Sequence, residues 1–240
     1  IIQNKLGLKT SVGGFDIGLS CSGYGYGLLT AHSLVASGHC KNVLFIAQAV
    51  PTTVVHEKNV ELRSLFGDAS TCTLISASED EGIGKFVTGM DGKGEYSLRV
   101  IRSSINNPLD KEWFGEMNDF CYLPYGSMEK NGIGIFNFSL QVVPNLIHET
   151  VSKNNITLDE IDFFIFHQAN VLMLKALRRK LNIPEEKFII NIEKTGNTVS
   201  ASIPICLTDL FNSGKSKKGD KILIAGFGAG FSWAATVITV

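Results

Sequence analysis

Long apolar runs are missing from these 240 residues. None approaches the ~18 consecutive apolar residues a membrane-crossing helix needs, and no secretory signal pattern opens the chain. Charge of one sign is missing too. Lys and Arg number 22 against 23 Asp and Glu, for a net charge of −1, so no basic excess points to nucleic acid or another polyanion. The five cysteines are odd in number and include no CxxC pair, which argues against a disulfide framework and a zinc site and fits a reducing cytoplasm. An initiator methionine is also absent. The chain opens IIQNKLGLKT with a helical pattern already under way, and the sequence reads as the remainder of a longer chain.

What is present is the composition of an ordinary globular protein, 44% hydrophobic and 19% charged, long enough for one large or two small domains with a substantial core. The stretch FDIGLSCSGYGYGLLTAHSL, from Phe15 to Leu34, organises the reading. Cys21 falls between a short apolar run and a glycine-punctuated amphipathic helix. Helix N-terminal amides and the positive end of the helix dipole beside a cysteine favour thiolate over thiol. Gly23, Gly25 and Gly27 cost helical stability but let other backbone come close. A buried structural cysteine is the plain alternative.

Taken in order, residues 1–10 read as the end of a helix closed by Gly7, and 11–19 as a short strand entering the Cys21 turn. A helix over 24–37 stops at Gly38. The run NVLFIAQAV after Lys41 predicts a fully buried strand. The Gly-Asp turn in LFGDAS leads to a strand over 71–78. Residues 79–127 read as hairpins and loops, with a strand near 97–102. An amphipathic helix begins near Gly132, a buried strand over 163–166 delivers His167, and a second helix spans 170–181. A strand over 188–192 comes next, then a helix opened by GNT at 196–198 and running to Phe211. The strand KILIAGFG, a glycine turn and FSWAATVITV end the chain. Strands alternating with helices predict an α/β protein.

A weak internal repeat runs through this order. Seventeen positions separate Cys21 from Gly38, and seventeen separate Asn197 from Gly214; each glycine precedes a Lys-led apolar strand. Two copies of one helix–strand unit would bring Cys21 and Asn197 to equivalent helix starts and a shared pseudo-twofold site.

Three features carry chemistry. His167 ends an apolar strand, where open α/β sheets place functional side chains; a core histidine bonded to backbone is its plain alternative. Asn197 is suited to capping a helix and equally to polarising a carbonyl without titrating. The glycine-rich GFGAGF at 226–231 comes after a strand, but too little chain remains beyond it for the helix and strand of a dinucleotide fold. Its backbone amides suit an oxyanion. GLSCS around Cys21 is not the GxSxG of a serine-hydrolase elbow.

Together DIGLSCSG with Cys21, HQAN with His167, GNTxSAS with Asn197 and GFGAGFSW make the chain resemble β-ketoacyl-acyl-carrier-protein synthase III, a condensing enzyme of the thiolase superfamily. The resemblance spans nearly the whole chain in order. It implies an α/β fold of five layers, α-β-α-β-α, with an internal pseudo-twofold repeat and with the first part of the N-terminal half absent. Residues 1–127 would be the remainder of that half, carrying the nucleophile and a loop insertion, and 128–240 the half carrying His and Asn.

The resemblance also implies an activity: decarboxylative Claisen condensation of an acyl-CoA primer with malonyl-acyl carrier protein, as in the initiation of fatty acid synthesis. Cys21 would be the nucleophile. His167 and Asn197 would hold the malonyl thioester carbonyl, and the amides of Cys21 and Ala229 the tetrahedral oxyanion. Gly132, Phe136, Ala169 and Asn170 match positions along the pantetheine and acyl channel. No permanent cofactor or metal is implied; coenzyme A and phosphopantetheine thioesters are substrates, and the enzyme is a cytoplasmic homodimer. Lys175, Arg178 and Arg179 share one helix face with Lys180 adjoining, a docking surface for an acidic carrier. Departures lie at Ala229 and Ala69, where glycine is common, at Ile133, where a polar residue is often found, and at Leu172, where an arginine often docks the carrier. Two alternatives stand beside this expectation: a relative acting in a secondary-metabolite or surface-sugar pathway, and a non-catalytic partner subunit of a synthase.

Overall fold

Among the described residues two sheets, one of two strands and one of four, share a layer of helices between them. The computed structural model describes residues 1–53, 55, 59–80, 82–94, 97 and 123–240, with side chains from 132 in the long helix. A one-turn helix α1 (Ile2–Lys5) ends as Gly7 takes a φ of +63°. Residues 11–19 pair with no described strand and are largely exposed, so the strand expected there is not formed. Glycines at 13, 14 and 18 interrupt its apolar pattern.

A 3-10 turn, Ser20–Ser22, leads directly into α2 (Gly23–Ala36). Strand β1 (Asn42–Ala49) pairs antiparallel with β2 (Ala69–Ser76), between which lies α3 (Val60–Leu65), capped by the Asn59 side chain. The sequence predicts a fully buried β1. Instead only Ala47 is buried, and Leu44 and Leu74 face solvent, Leu74 at 67% exposure. One face of this pair packs on helices; its apolar outer face is open.

Strand β3 (Val87–Met90) forms in the loop-rich middle of the chain, at a place where the sequence pattern marks no strand. It borders the second sheet, whose order is β3-β6-β5-β4. The strand expected near 97–102 lies outside the described residues except for Ser97. The long helix α4 (Leu123–Lys153) carries Pro144 in its interior, and the expected boundary at 127/128 falls within it. Strands β4 (Phe163–Phe166) and β5 (Lys221–Gly228) pair in parallel; β5 and β6 (Ser232–Thr239) pair antiparallel.

Between β4 and β5 come α5 (Val171–Lys180), the one-turn α6 (Ile192–Thr195) and α7 (Ser202–Asn212). Phe188 makes only an isolated bridge to Phe164, so the strand expected over 188–192 is replaced by that bridge and α6. Asn191 is pulled out of strand geometry: its amide donates to Gln168 and its side chain bonds Asp209.

Two cores define the layers. On one face of the four-stranded sheet, Val143 and Ile147 of α4 and Leu174 and Leu177 of α5 pack on Phe164, Phe166 and Leu223. On the other, Tyr24 and Leu28 of α2 and Ile203 and Leu207 of α7 fill the space between Ile165, Ile222 and Ile224 and the β1–β2 pair. The stacking is therefore β, α, β, α. The internal repeat is visible in it. Each of the two middle helices is preceded by a 3-10 turn (Ser20–Ser22, Val199–Ala201), and each is closed by a glycine of positive φ, Gly38 at +74° and Gly214 at +68°. The two turns touch, and matching them sets Ser200 opposite Cys21, with Asn197 two residues before its turn rather than at the equivalent place.

Candidate active site

Cys21 sits in the Ser20–Ser22 turn at 5% exposure, under the end of β5. The close approach sets the residue choice above it. A Cβ on Gly228 would lie 2.6 Å from Cys21 Cβ and 3.0 Å from Sγ, and one on Gly226 would lie 3.0 Å from the Cys21 carbonyl. Any side chain at these two positions displaces the cysteine. Ser20 reaches the sulfur at 3.9 Å and takes a φ of +45° to do so, a region rare for non-glycine residues.

Burial pushes the Cys21 thiol above its ordinary value; the Ser20 hydroxyl and the backbone amides of Ala229 and of Cys21 itself oppose that. The helix start alone therefore does not make Cys21 a thiolate. A dry environment disfavours the charged sulfur, and the same amides that would stabilise it are placed to receive an oxyanion.

The second half of the site comes from β4 and the approach to α7. His167 leaves the end of β4, its amide held by Ala225 of β5 at 2.8 Å, and is 1% exposed. Its Nδ1 lies 2.9 Å from Ser202 Oγ. Burial pulls the imidazole down to about 4, a hydrogen bond to the Val199 backbone opposing it, so the ring is neutral at physiological pH. Phe227 meets it edge to face at 6.0 Å.

Asn197 is buried and held on both sides. Its amide donates to Leu65 and its carbonyl accepts from Gly67, a contact that leaves no room for a Cβ at Gly67, which would fall 2.0 Å from the Thr195 carbonyl oxygen. Its Oδ1 accepts from the Val199 amide at 2.9 Å and its Nδ2 donates to Ala169 at 3.3 Å. One Nδ2 hydrogen stays available. The helix-capping reading of Asn197 does not hold: the turn that follows has Thr198 as its N-cap and α7 has Ala201, neither with a side-chain cap bond, and Asn197 Oδ1 instead closes a local turn onto Val199 while Nδ2 is a donor. Val199 itself takes a φ of +52°, an outlier for a β-branched residue.

The two halves meet. The Ser20–Ser22 turn packs against β5, β6 and the Val199–Ala201 turn, which bonds His167 and Asn197. Beside Cys21 a cavity of about 290 Å³ is lined by Leu19, Ser20, Met90, Ala229 and Phe231 among others. Phe231 stacks on Phe138 at 3.8 Å to form part of its wall, and the Gly230–Phe231 peptide is cis.

Other expected positions fall in different places. Ala169 and Asn170 lie just past His167; Asn170 caps α5 through Met173 at 2.8 Å. Gly132 is exposed, and Phe136 packs on the α4–α5 core; no described contact brings either to Cys21. Lys175, Arg179 and Lys180 are exposed, whereas Arg178 is committed within the chain, to Glu185 at 3.2 Å and the Ile183 carbonyl. Leu172 is 78% exposed and Ile133 equally so.

Sequence reasoning missed Ser202, Val199 and the Ser22–Ser232 pair, whose hydroxyls lie 2.7 Å apart. The SAS triplet after Asn197 was the available signal for Ser202. Among the described residues no cluster of His, Cys, Asp or Glu could hold a metal ion, and no helix is long and apolar enough to cross a membrane.

Known proteins resemble this chain in both sequence and fold. Residues 15–92 match the family model described as 3-oxoacyl-[acyl-carrier-protein (ACP)] synthase III, and residues 151–240 match its C-terminal model. A beta-ketoacyl-[acyl-carrier-protein] synthase III of Clostridium perfringens is 36% identical over 239 residues, covering 99% of this chain and 71% of the relative. One from Campylobacter curvus is 32% identical, covering 99% and 69%. A crystal structure of a 3-oxoacyl-(acyl-carrier-protein) synthase III superposes with a TM-score of 0.87 at 32% identity, covering 100% of this chain and 72% of that one. The priming β-ketosynthase of the R1128 polyketide pathway superposes at 0.84 with 31% identity, covering 100% and 69%.

Proposed function

Because the chain belongs to the 3-oxoacyl-[acyl-carrier-protein] synthase III family, with its thiolase-like fold, we propose that its catalytic residues are Cys21, His167 and Asn197. The protein is an acyltransferase of the initiating, condensing kind: an acyl-CoA primer is joined to malonyl-acyl carrier protein through an acyl-cysteine. In the first half-reaction Cys21 Sγ attacks the primer thioester. The amides of Cys21 and Ala229 receive the oxyanion, and coenzyme A leaves as the thiol. In the second, the malonyl thioester loses carbon dioxide while His167 and Asn197 Nδ2 hold the enolate oxygen. The enolate carbon then attacks acyl-Cys21, and collapse releases the 3-ketoacyl thioester and the Cys21 sulfur.

The observation that carries this reading is the Cys21 sulfur held under Gly228 and against the Ala229 amide, with His167 and Asn197 tied to the turn it packs on. An inert partner subunit has no use for such an arrangement. Coenzyme A and phosphopantetheine thioesters are the substrates, with Ala169, Asn170, Gly132 and Phe136 along their channel. The enzyme works as a cytoplasmic homodimer without a bound cofactor, and its halves are 1–127 and 128–240. Lys175, Arg179 and Lys180, exposed on α5, form the carrier-docking face, with Arg178 supporting it from its ion pair. The exposed Leu172 favours a second reading, in which the carrier of a specialised pathway meets a partly apolar contact.

The test is turnover of acyl-CoA and malonyl-carrier to 3-ketoacyl-carrier by the protein and its variants. Cys21→Ala is expected to abolish condensation; Asn197→Ala is expected to accept acyl groups but fail to decarboxylate malonyl-carrier, and His167→Ala to be impaired in both half-reactions. Condensation by Cys21→Ala would refute the assignment.

A further inference from the structure

A neutral imidazole has one donor and one acceptor nitrogen, and the partners of one decide the role of the other. Around His167 those partners are unusually well defined. Ser202 Oγ, 2% exposed, lies 2.9 Å from Nδ1, 2.8 Å from the Val199 carbonyl and 3.3 Å from the Gln168 amide nitrogen. A hydroxyl has a single proton. The Val199 carbonyl can only accept, so it takes that proton, and the Gln168 amide can only donate. Toward Nδ1 the oxygen is left with a lone pair. The Val199 backbone is bonded to the ring as well.

From this geometry we propose that Ser202 is a positioning residue that fixes His167 as the Nδ1–H tautomer, leaving Nε2 bare toward the reacting groups. The inference rests on the catalytic reading of Cys21 and His167. It gives Nε2 the part of proton acceptor in the first half-reaction. The bond from Cys21 Sγ to the acyl carbon forms and the bond from that carbon to the coenzyme A sulfur breaks. The thiol proton passes to Nε2 and on to the departing sulfur, and the proton on Nδ1 never moves. Because the thiol is not ionised by its buried surroundings, such an acceptor is needed. In the second half-reaction Nε2 donates to the malonyl carbonyl only after taking up one proton. The Cys21 thiolate expelled at the end removes it again, so the condensation consumes one proton per carbon dioxide released. Nothing in the residue order around Asn197 reveals this; it comes from which neighbours of Ser202 can only accept.

Two measurements test it. In the 15N-labelled protein, long-range 1H–15N correlations report which ring nitrogen carries the proton, with His167 assigned by its loss in His167→Asn. A protonated Nδ1 and a bare Nε2 are expected, and a proton on Nε2 in the resting protein would overturn the proposal. Ser202→Ala, which removes one oxygen, is expected to populate the Nε2–H tautomer and slow Cys21 acylation about tenfold, the worth of one lost hydrogen bond. KM for acyl-CoA should change less than twofold, and Ser202→Thr, which keeps the hydroxyl, should recover most of the rate. Wild-type acylation with an unchanged tautomer in Ser202→Ala would also overturn it. A wild-type protein that accepts no acyl group refutes instead the reading of Cys21, and the tautomer result stands apart from that outcome.

Discussion

Adding one methyl group above the nucleophile should separate folding from catalysis. In Gly228→Ala the new Cβ would lie 3.0 Å from Cys21 Sγ and 2.6 Å from Cys21 Cβ, the latter inside the distance any real pair of such atoms tolerates. Neither neighbour is the free end of a flexible chain. Cys21 is fixed in a 3-10 turn against β5, and Gly228 is the last residue of β5 opposite Ser232 of β6. Relief therefore comes from displacing the turn by a fraction of an ångström. Overpacking of this kind costs about 1–3 kcal/mol, which lowers the Tm of a chain this size by roughly 2–12 °C and leaves it folded. Catalysis is more sensitive, because misplacing a reacting atom by about 1 Å can cost ~100-fold. The assay is the rate of acyl transfer from acyl-CoA to Cys21, followed by intact mass, beside a thermal unfolding curve. Gly13→Ala, whose Cβ meets nothing within 4 Å, is the control. A Gly228→Ala protein that acylates at the wild-type rate would refute the geometry assigned to the site.

Three further expectations rest on the same contacts. Asn197→Ala removes a donor aimed at developing charge and should slow malonyl decarboxylation about 10²–10³-fold while Cys21 still loads; slowed loading of the same size would contradict the division of labour. The imidazole of His167, held down at about 4 by burial, is protonated first in the unfolded chain. Stability should therefore fall as pH drops from about 6.5 to about 4, by ~3 kcal/mol at most. Denaturant unfolding should show this slope reduced in His167→Asn, and an unchanged slope would be inconsistent with a neutral buried ring. Ser22 and Ser232 share two hydroxyl protons among the Leu19 carbonyl, the Ala229 carbonyl and each other. One of the three contacts lacks a proton, so a double-mutant cycle with Ser22→Ala and Ser232→Ala should give a coupling of only about 1 kcal/mol or less; a larger value would mean the pair is fully satisfied.

Much of this site was legible in the sequence for a physical reason. Phe163–Phe166 is a continuous apolar run because β4 lies between two cores, and the residue after such a strand is delivered to the sheet end, as His167 is. Gly38 and Gly214 close their helices as expected because each needs a positive φ. The failures have causes of the same kind. β1 looks like a buried strand but covers only one face, and no local pattern distinguishes a strand with one open side from one with none. β3 is four residues long and owes its existence to pairing with β6, about 145 residues later. Residues 188–192 have strand composition, yet the Gln168–Asn191–Asp209 bonds outweigh it. The SAS triplet pointed at Ser202 but not at its role, because a serine becomes a positioning residue only through the acceptors around it.

The most direct measurement is the intact mass of the protein after incubation with a panel of acyl-CoAs, with Cys21→Ala treated alongside. The account predicts an acyl adduct on the wild-type protein alone, with the best-loaded chain identifying the primer. An adduct of equal yield on Cys21→Ala, or none on the wild type from any acyl-CoA, would contradict it.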